Sequence, residues 1–191
     1  MIDDMPTGVT RPAIVVMGVQ GCGKSTVGRA LAEVLGIRFE DGDDLHSVEA
    51  RGRMASGRPL TDADRIPWLN RIAERIVASA ERNEPLVVAC SALKRSYRDL
   101  MRAAVPTLVF LELYGDQDLI AERLTHRDHE YMPPSLLASQ FAALEPLTAD
   151  EAGLRIDLAT TPDHIVGLAS DFLACHDART RARRSPPWSA S

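Results

Sequence analysis

The sequence predicts an α/β domain, a five-stranded parallel sheet with helices on both faces. Three features predict it. Short apolar runs alternate with amphipathic stretches from residue 13 to residue 176, the pattern of a parallel sheet covered by helices. The first run leads through a glycine-rich turn into a helical stretch that Gly36 stops, and a second run follows, which makes a βαβ opening. The chain has 191 residues, 45% of them hydrophobic and 26% charged, enough apolar material for one core and too little length for two domains.

The predicted strands are Ala13 to Met17, Ile37 to Glu40, Leu86 to Cys90, Leu108 to Leu113 and Leu154 to Leu158. The first helix covers Lys24 to Leu35, where Val27, Ala30, Leu31, Val34 and Leu35 recur at helical spacing. A long helix starts near Thr61, whose hydroxyl can cap it. It holds Pro67 in its first turns, buries Leu69, Ile72, Ile76 and Val77, and ends near Arg82. Further helices are predicted over Lys94 to Ala104, Asp116 to Thr125, Pro134 to Leu144 and Pro162 to His176, each opened by a capping or first-turn residue. The expected organisation is an N-terminal tail 1–12, a single domain 13–177 and a mobile basic tail 178–191. In the last, Arg179, Arg181, Arg183 and Arg184 precede Ser-Pro-Pro. These arginines read as solvated charges, with contact to nucleic acid or acidic lipid as the alternative.

The formal net charge of −5 argues against a broad basic face, so no nucleic-acid partner is expected. The longest apolar run near the N-terminus, Ala13 to Met17, is far short of the roughly 18 residues that cross a bilayer. Asp3 and Asp4, with no basic or long apolar segment beside them, give no secretory signal. Cys22, Cys90 and Cys175 are odd in number and lack metal-ligand spacing, which suits a reducing compartment. The expectation is a cytoplasmic protein with no membrane partner that acts on small molecules.

Gly18-Val19-Gln20-Gly21-Cys22-Gly23-Lys24-Ser25 fits G-x-x-x-x-G-K-[ST] at every fixed position, after a predicted strand and before a predicted helix. Glycines let such a loop curl its N–H groups onto phosphate oxygens, and the helix N-terminus adds partial positive charge. The nucleotide site is therefore assigned to Gly18, Gln20, Gly21, Cys22, Gly23, Lys24, Ser25 and Thr26. Lys24 bridges the β- and γ-phosphates of ATP, and the Ser25 hydroxyl ligates Mg²⁺. Cys22 is either an ordinary small loop residue or, beside Lys24 and a helix N-terminus, an oxidisable thiol.

The second strand ends in Phe39-Glu40-Asp41-Gly42-Asp43-Asp44-Leu45-His46, at the sheet edge where ligands bind in open parallel sheets. Asp41 is assigned to a water on Mg²⁺, Asp43 to the proton of an acceptor hydroxyl, and Asp44 to local capping.

That segment is joined by Met54-Ala55-Ser56-Gly57-Arg58-Pro59-Leu60-Thr61-Asp62-Ala63-Asp64-Arg65, Pro67-Trp68-Leu69, Cys90-Ser91-Ala92-Leu93-Lys94, Tyr97-Arg98-Asp99, Ser139-Gln140-Phe141 and Leu144-Glu145-Pro146. Together, over about Ala13 to Asp157, they resemble the thermoresistant-type gluconokinases. The resemblance implies a P-loop NTPase of nucleoside-monophosphate-kinase-like fold, ATP-dependent phosphorylation of D-gluconate to 6-phosphogluconate, Mg²⁺, and a homodimer.

A sugar acid needs a cation for its carboxylate and hydrogen-bonding groups for its hydroxyls. Arg53, Arg58, Arg65, Lys94 and Arg98 cluster after strand ends. Arg53, Arg65 and Lys94 are assigned to the substrate, Arg53 and Lys94 near its carboxylate or the transferring phosphate; His46 and Gln140 take hydroxyls, with Asp43 as base. Trp68 is read as a core or dimer anchor in preference to a sugar-stacking platform. A lid is expected near 123–134, with Arg123 on the nucleotide and Arg127 on the phosphates.

Two departures from the family pattern stand out. Ser47, Ala50 and Arg53 take positions usually held by Pro, Asn and Lys, and Glu130-Tyr131 stands where His-Phe is usual. The alternatives are a shikimate-type or other sugar-acid or polyol kinase of the same fold, and a nucleotide-binding regulator without catalysis.

Overall fold

The computed structural model describes residues 12–125 and 135–184. Five strands, β1 (Ile14–Met17), β2 (Arg38–Asp41), β3 (Leu86–Ala89), β4 (Val109–Tyr114) and β5 (Gly153–Asp157), form one sheet in the order β2-β3-β1-β4-β5. Every pairing is parallel, with Val15 opposite Val88 and Val16 opposite Leu111. The fully buried β1 shows how both faces are covered: Ile14 and Val16 enter one apolar cluster, Val15 and Met17 the other.

The first cluster receives Val27 and Leu31 of α1 (Lys24–Leu35) and Ile165, Ala169 and Leu173 of the last helix. The second receives Trp68, Leu69, Ile72 and Ile76 of a 20-residue helix, Asp62–Glu81, and Met101 of the helix Arg95–Ala104. Because β1 lies between β3 and β4, the chain leaving its C-terminal end enters the crevice where the strand order reverses.

The helices largely follow their sequence signals. Gly36 ends α1 at φ 65°, its N–H bonded to the carbonyls of Ala32 and Glu33. Thr61 caps the long helix in a reciprocal box with Asp64.

Two short elements were not predicted: a 3₁₀ turn, Gly42–Leu45, and helix α2 (Val48–Ala55), which starts where the Ser47 hydroxyl accepts the Ala50 N–H at 3.1 Å. The long helix is thus α3 and Arg95–Ala104 is α4, followed by α5 (Gln117–Thr125), α6 (Ser135–Ala143) and α7 (Pro162–Arg184). The expected tail boundary at 178 is corrected, because α7 runs on to Arg184. Residues 178–184 are mostly Ala and Arg, strong helix formers whose cations suit a helix C-terminus. Among the described residues no helix is long and apolar enough to cross a membrane.

Candidate active site

The loop from Gly18 to Gly23 joins β1 to α1. Gly18 has φ 142°, and a Cβ there would lie 2.5 Å from the Leu113 carbonyl oxygen, so only glycine fits between β1 and β4. Gly23, at φ 90°, turns the backbone into α1. Cys22 is buried beneath the loop, which favours the ordinary-residue reading over the oxidisable thiol. The Lys24 ammonium folds back to donate to the Val19 carbonyl at 3.0 Å.

The Ser25 hydroxyl donates to Asp41 Oδ2 at 2.7 Å, bringing an alcohol oxygen and a carboxylate together at the foot of the loop. This all-oxygen pair suits Mg²⁺, which usually takes one or two protein oxygens and completes its shell with phosphates and water. Asp41 also accepts the Asp43 N–H at 3.2 Å, which starts the 3₁₀ turn and aims Asp43 across the loop. The Asp43 side chain is 61% exposed toward the open pocket. Even so, the surrounding protein withdraws enough water to raise its pKa; Asp41 and Asp44 add to the rise, while Lys24 and Arg65 oppose it.

His46 closes the turn. It is buried, stacks on Trp68 with centroids 4.2 Å apart, and holds Nε2 3.8 Å from Asp43 Oδ1. Burial, assisted by Arg65, Arg71 and Arg51, lowers its pKa to about 4, so it is neutral near pH 7. Unfolding returns His46 to about 6.5, so the unfolded chain binds the proton more tightly. Its contribution to stability is therefore complete above about pH 6.5 and is lost as pH falls toward 4. The melting temperature is expected to drop more steeply between pH 7.5 and pH 5 (about two and a half pH units) in the wild type than in His46→Asn. Parallel curves would reject this role.

A cavity of about 140 Å³ gathers Lys24, Ser25, Asp43, His46, Arg65 and Gln140. Its wall also includes apolar Met54 in the last turn of α2, Pro59 and Leu60 beyond it and Leu136 on α6, with Ser91 and Ser139 as further polar groups. These six the sequence reading left unassigned. The C-S-A-L-K and S-Q-F segments were the available signal for the two serines. Gln140 is partly committed already, since its Oε1 accepts the Gln20 N–H at 2.7 Å.

Two expected substrate cations do not line this cavity. Arg53 pairs with Asp64 at 3.0 Å, and Lys94 with both oxygens of Asp62 at 2.8 Å, beneath which lies the Tyr97 ring. The carboxylates opening α3 draw both cations to its N-terminus. Ala50 is buried and absent from the lining. Arg127, Glu130, Tyr131 and the lid segment 126–134 lie outside the described residues.

A second cavity of about 510 Å³ shares Gly21 and Gly23 with the first and is bounded by Thr26, Arg123, Thr160 and Pro162. Arg123 is held there by donation to the Leu158 carbonyl at 2.9 Å. The glycine-rich loop thus separates a large, partly apolar cavity from a small one that holds a carboxylate.

Comparison with known proteins agrees with this arrangement. The family model for shikimate kinase matches residues 20–158. A thermosensitive gluconokinase of Escherichia coli is 42% identical over 147 residues, covering 76% of this chain and 79% of that protein. A probable gluconokinase of Mus musculus is 43% identical over 177 residues, 84% of this chain and 96% of that one. The chain belongs to the gluconokinase family. It does so within the wider group that the shikimate kinase model covers, and it is a kinase. The crystal structure of a gluconokinase from Sinorhizobium meliloti superposes at TM-score 0.84 with 43% identity, covering 92% of this chain and 99% of that one. A shikimate kinase from Bacteroides thetaiotaomicron, at 18% identity and TM-score 0.63, shares the fold with this gluconokinase-family chain.

Proposed function

We propose that this chain transfers the γ-phosphoryl group of ATP to a hydroxyl of D-gluconate, giving ADP and 6-phospho-D-gluconate. The observation that carries the reading is the convergence of Asp43, His46, Arg65 and Gln140 on one small cavity against Lys24 and Ser25, in a chain about 40% identical to gluconokinases over most of its length.

The nucleotide lies along the Gly18–Thr26 loop with its base in the larger cavity by Arg123. The acceptor occupies the smaller one. Arg65 faces the gluconate carboxylate, and neutral His46 and the Gln140 amide N–H₂ take hydroxyls. Asp43 accepts the proton of the attacking hydroxyl as its oxygen bonds to the γ-phosphorus, while the bond to the leaving ADP oxygen breaks. Lys24 turns from Val19 to the phosphates, and Arg127 is kept as the lid cation that stabilises their developing charge. Lys94 and Arg53 serve at the rim and reach the acceptor only by leaving Asp62 and Asp64. Ser25 and Asp41 hold Mg²⁺, which when bound neutralises phosphate charge. A homodimer and a cytoplasmic location complete the reading, on the family resemblance and on cysteines that form no disulfide.

The test is ADP release from Mg-ATP with no acceptor, D-gluconate, shikimate, and other sugar acids and polyols. Stimulation by gluconate above the others is expected. Preferential use of shikimate or a polyol would replace the acceptor, and nucleotide binding without any stimulation would favour a regulator. Chelation of Mg²⁺ is expected to abolish turnover, and Ser25→Ala to shift the Mg²⁺ titration to higher concentration; an unchanged titration would reject the metal assignment. Light scattering that gives a mass near 20.9 kDa would remove the dimer.

A further inference from the structure

The loop 90–94 and helix α6 reach the acceptor cavity from distant parts of the chain, and one buried side chain bonds to the backbone on both sides. Arg98 of α4 is fully buried. Its Nη1 donates to the carbonyls of Ala92 and Leu93 at 3.3 Å and of Glu145 at 2.9 Å. Its Nε and Nη2 each meet one oxygen of the equally buried Glu151 at 2.7 Å. Glu145 answers in kind: its N–H donates to the Leu93 carbonyl at 2.8 Å, and its carboxylate accepts the Arg95 N–H at 2.6 Å, filling the bare N-terminus of α4.

Each side continues to the phosphate loop. The Ser91 carbonyl accepts the Gly18 N–H at 3.3 Å, and Ser91 lines the cavity. Glu145 stands two residues beyond α6, whose Gln140 accepts the Gln20 N–H. Between Ser91 and Leu93, Ala92 adopts φ 41°, a left-handed conformation that a non-glycine residue keeps only where its surroundings enforce it. A buried Arg–Glu pair is a poor source of stability, because desolvation offsets most of its attraction. The rigid guanidinium fork supplies fixed geometry instead, which lysine does not reproduce.

We propose that Arg98, set by Glu151, is a positioning residue for the acceptor. It locks residues 91–94 and 144–146 together and so fixes the spacing between the Ser91 and Gln140 walls of the cavity, without touching either substrate. The kinetic part rests on the acceptor reading given above.

The experiment is hydrogen–deuterium exchange together with steady-state kinetics on Arg98→Lys and Glu145→Gln. In Arg98→Lys, exchange is expected to rise together in segments 88–94 and 136–147 while α7 residues 162–176 stay as in the wild type. The KM for gluconate should rise about tenfold or more and the KM for Mg-ATP stay within about twofold. Glu145→Gln, which leaves the buried pair intact, should give the same pattern at smaller amplitude and serves if Arg98→Lys does not fold. Uniformly faster exchange with both KM values moving together would overturn the proposal, as would a rise confined to one segment or no change in Glu145→Gln. If wild-type protein ignores gluconate, the acceptor reading fails, and the paired exchange of the two segments still decides whether Arg98 couples them.

Discussion

Asp43→Asn is expected to lower kcat for gluconate-dependent ADP formation by about 10²- to 10⁴-fold, the usual worth of a positioned general base. The amide keeps the shape and the backbone bond that seats the turn on Asp41, so the KM for Mg-ATP should hold. The raised pKa of Asp43 adds a signature. A base must be ionised, so rate falls as pH drops through its folded-state pKa, and the acid limb of kcat should lie above the ordinary aspartate value. That limb should vanish in the variant. A variant within a few-fold of wild type at pH 7.5 (above the ordinary carboxylate range) would remove Asp43 from the chemistry.

Trp68→Ala is expected to cost about 3–5 kcal/mol of stability, as truncations of buried aromatics do. Trp68 is 1% exposed, packs among Leu69, Ile72 and Val88, and stacks on His46. Its indole N–H donates to the Gly42 carbonyl at 2.6 Å, so the same side chain that fills the core also holds the turn bearing Asp43. For a chain of this size the loss corresponds to a melting temperature lower by roughly 10 °C. Trp68→Phe keeps an aromatic ring but loses the bond to Gly42 and part of the indole's packing. It should cost about 1–3 kcal/mol and lower kcat through the displaced turn. Urea unfolding of Trp68→Ala within about 1 kcal/mol of wild type, well below the range for such truncations, would contradict the core role.

The small residual exposure of Trp68 also decides between its two sequence readings, since a side chain this covered within one chain is a core anchor and not a dimer contact.

The phosphate loop was legible because its chemistry is local. Glycines at Gly18, Gly21 and Gly23 and the Lys24-Ser25 pair act through backbone conformation and a helix start, and these are set within eight residues. Asp41 and Asp43 were legible for a related reason, being fixed by the end of one strand and the turn after it. The ion pairs of Arg53 and Lys94 were not legible, because a cation's neighbours are not local. Asp64 and Asp62 sit 11 and 32 residues away, and only the turn from α2 into α3 and the packing of α3 against α4 bring them within reach. The C-terminal boundary failed for a different reason: a run of arginines reads as a solvated tail, while Ala and Arg extend a helix that is already anchored by Ile165, Ala169 and Leu173.

By itself, then, the sequence determined the five strands, their parallel arrangement, the phosphate loop and the acidic turn beyond β2, all of which follow from short-range periodicity and turn chemistry. Folding decided which of those groups share a cavity. Ser91, Leu136 and Gln140 stand beside Lys24 because β3 lies next to β1 and α6 rests on the loop, and Arg98, one of several arginines in the sequence, became the buried tie between two walls. Those outcomes depend on contacts between residues 53 to 120 positions apart, whose free energy exists only once both segments are packed and their water is gone.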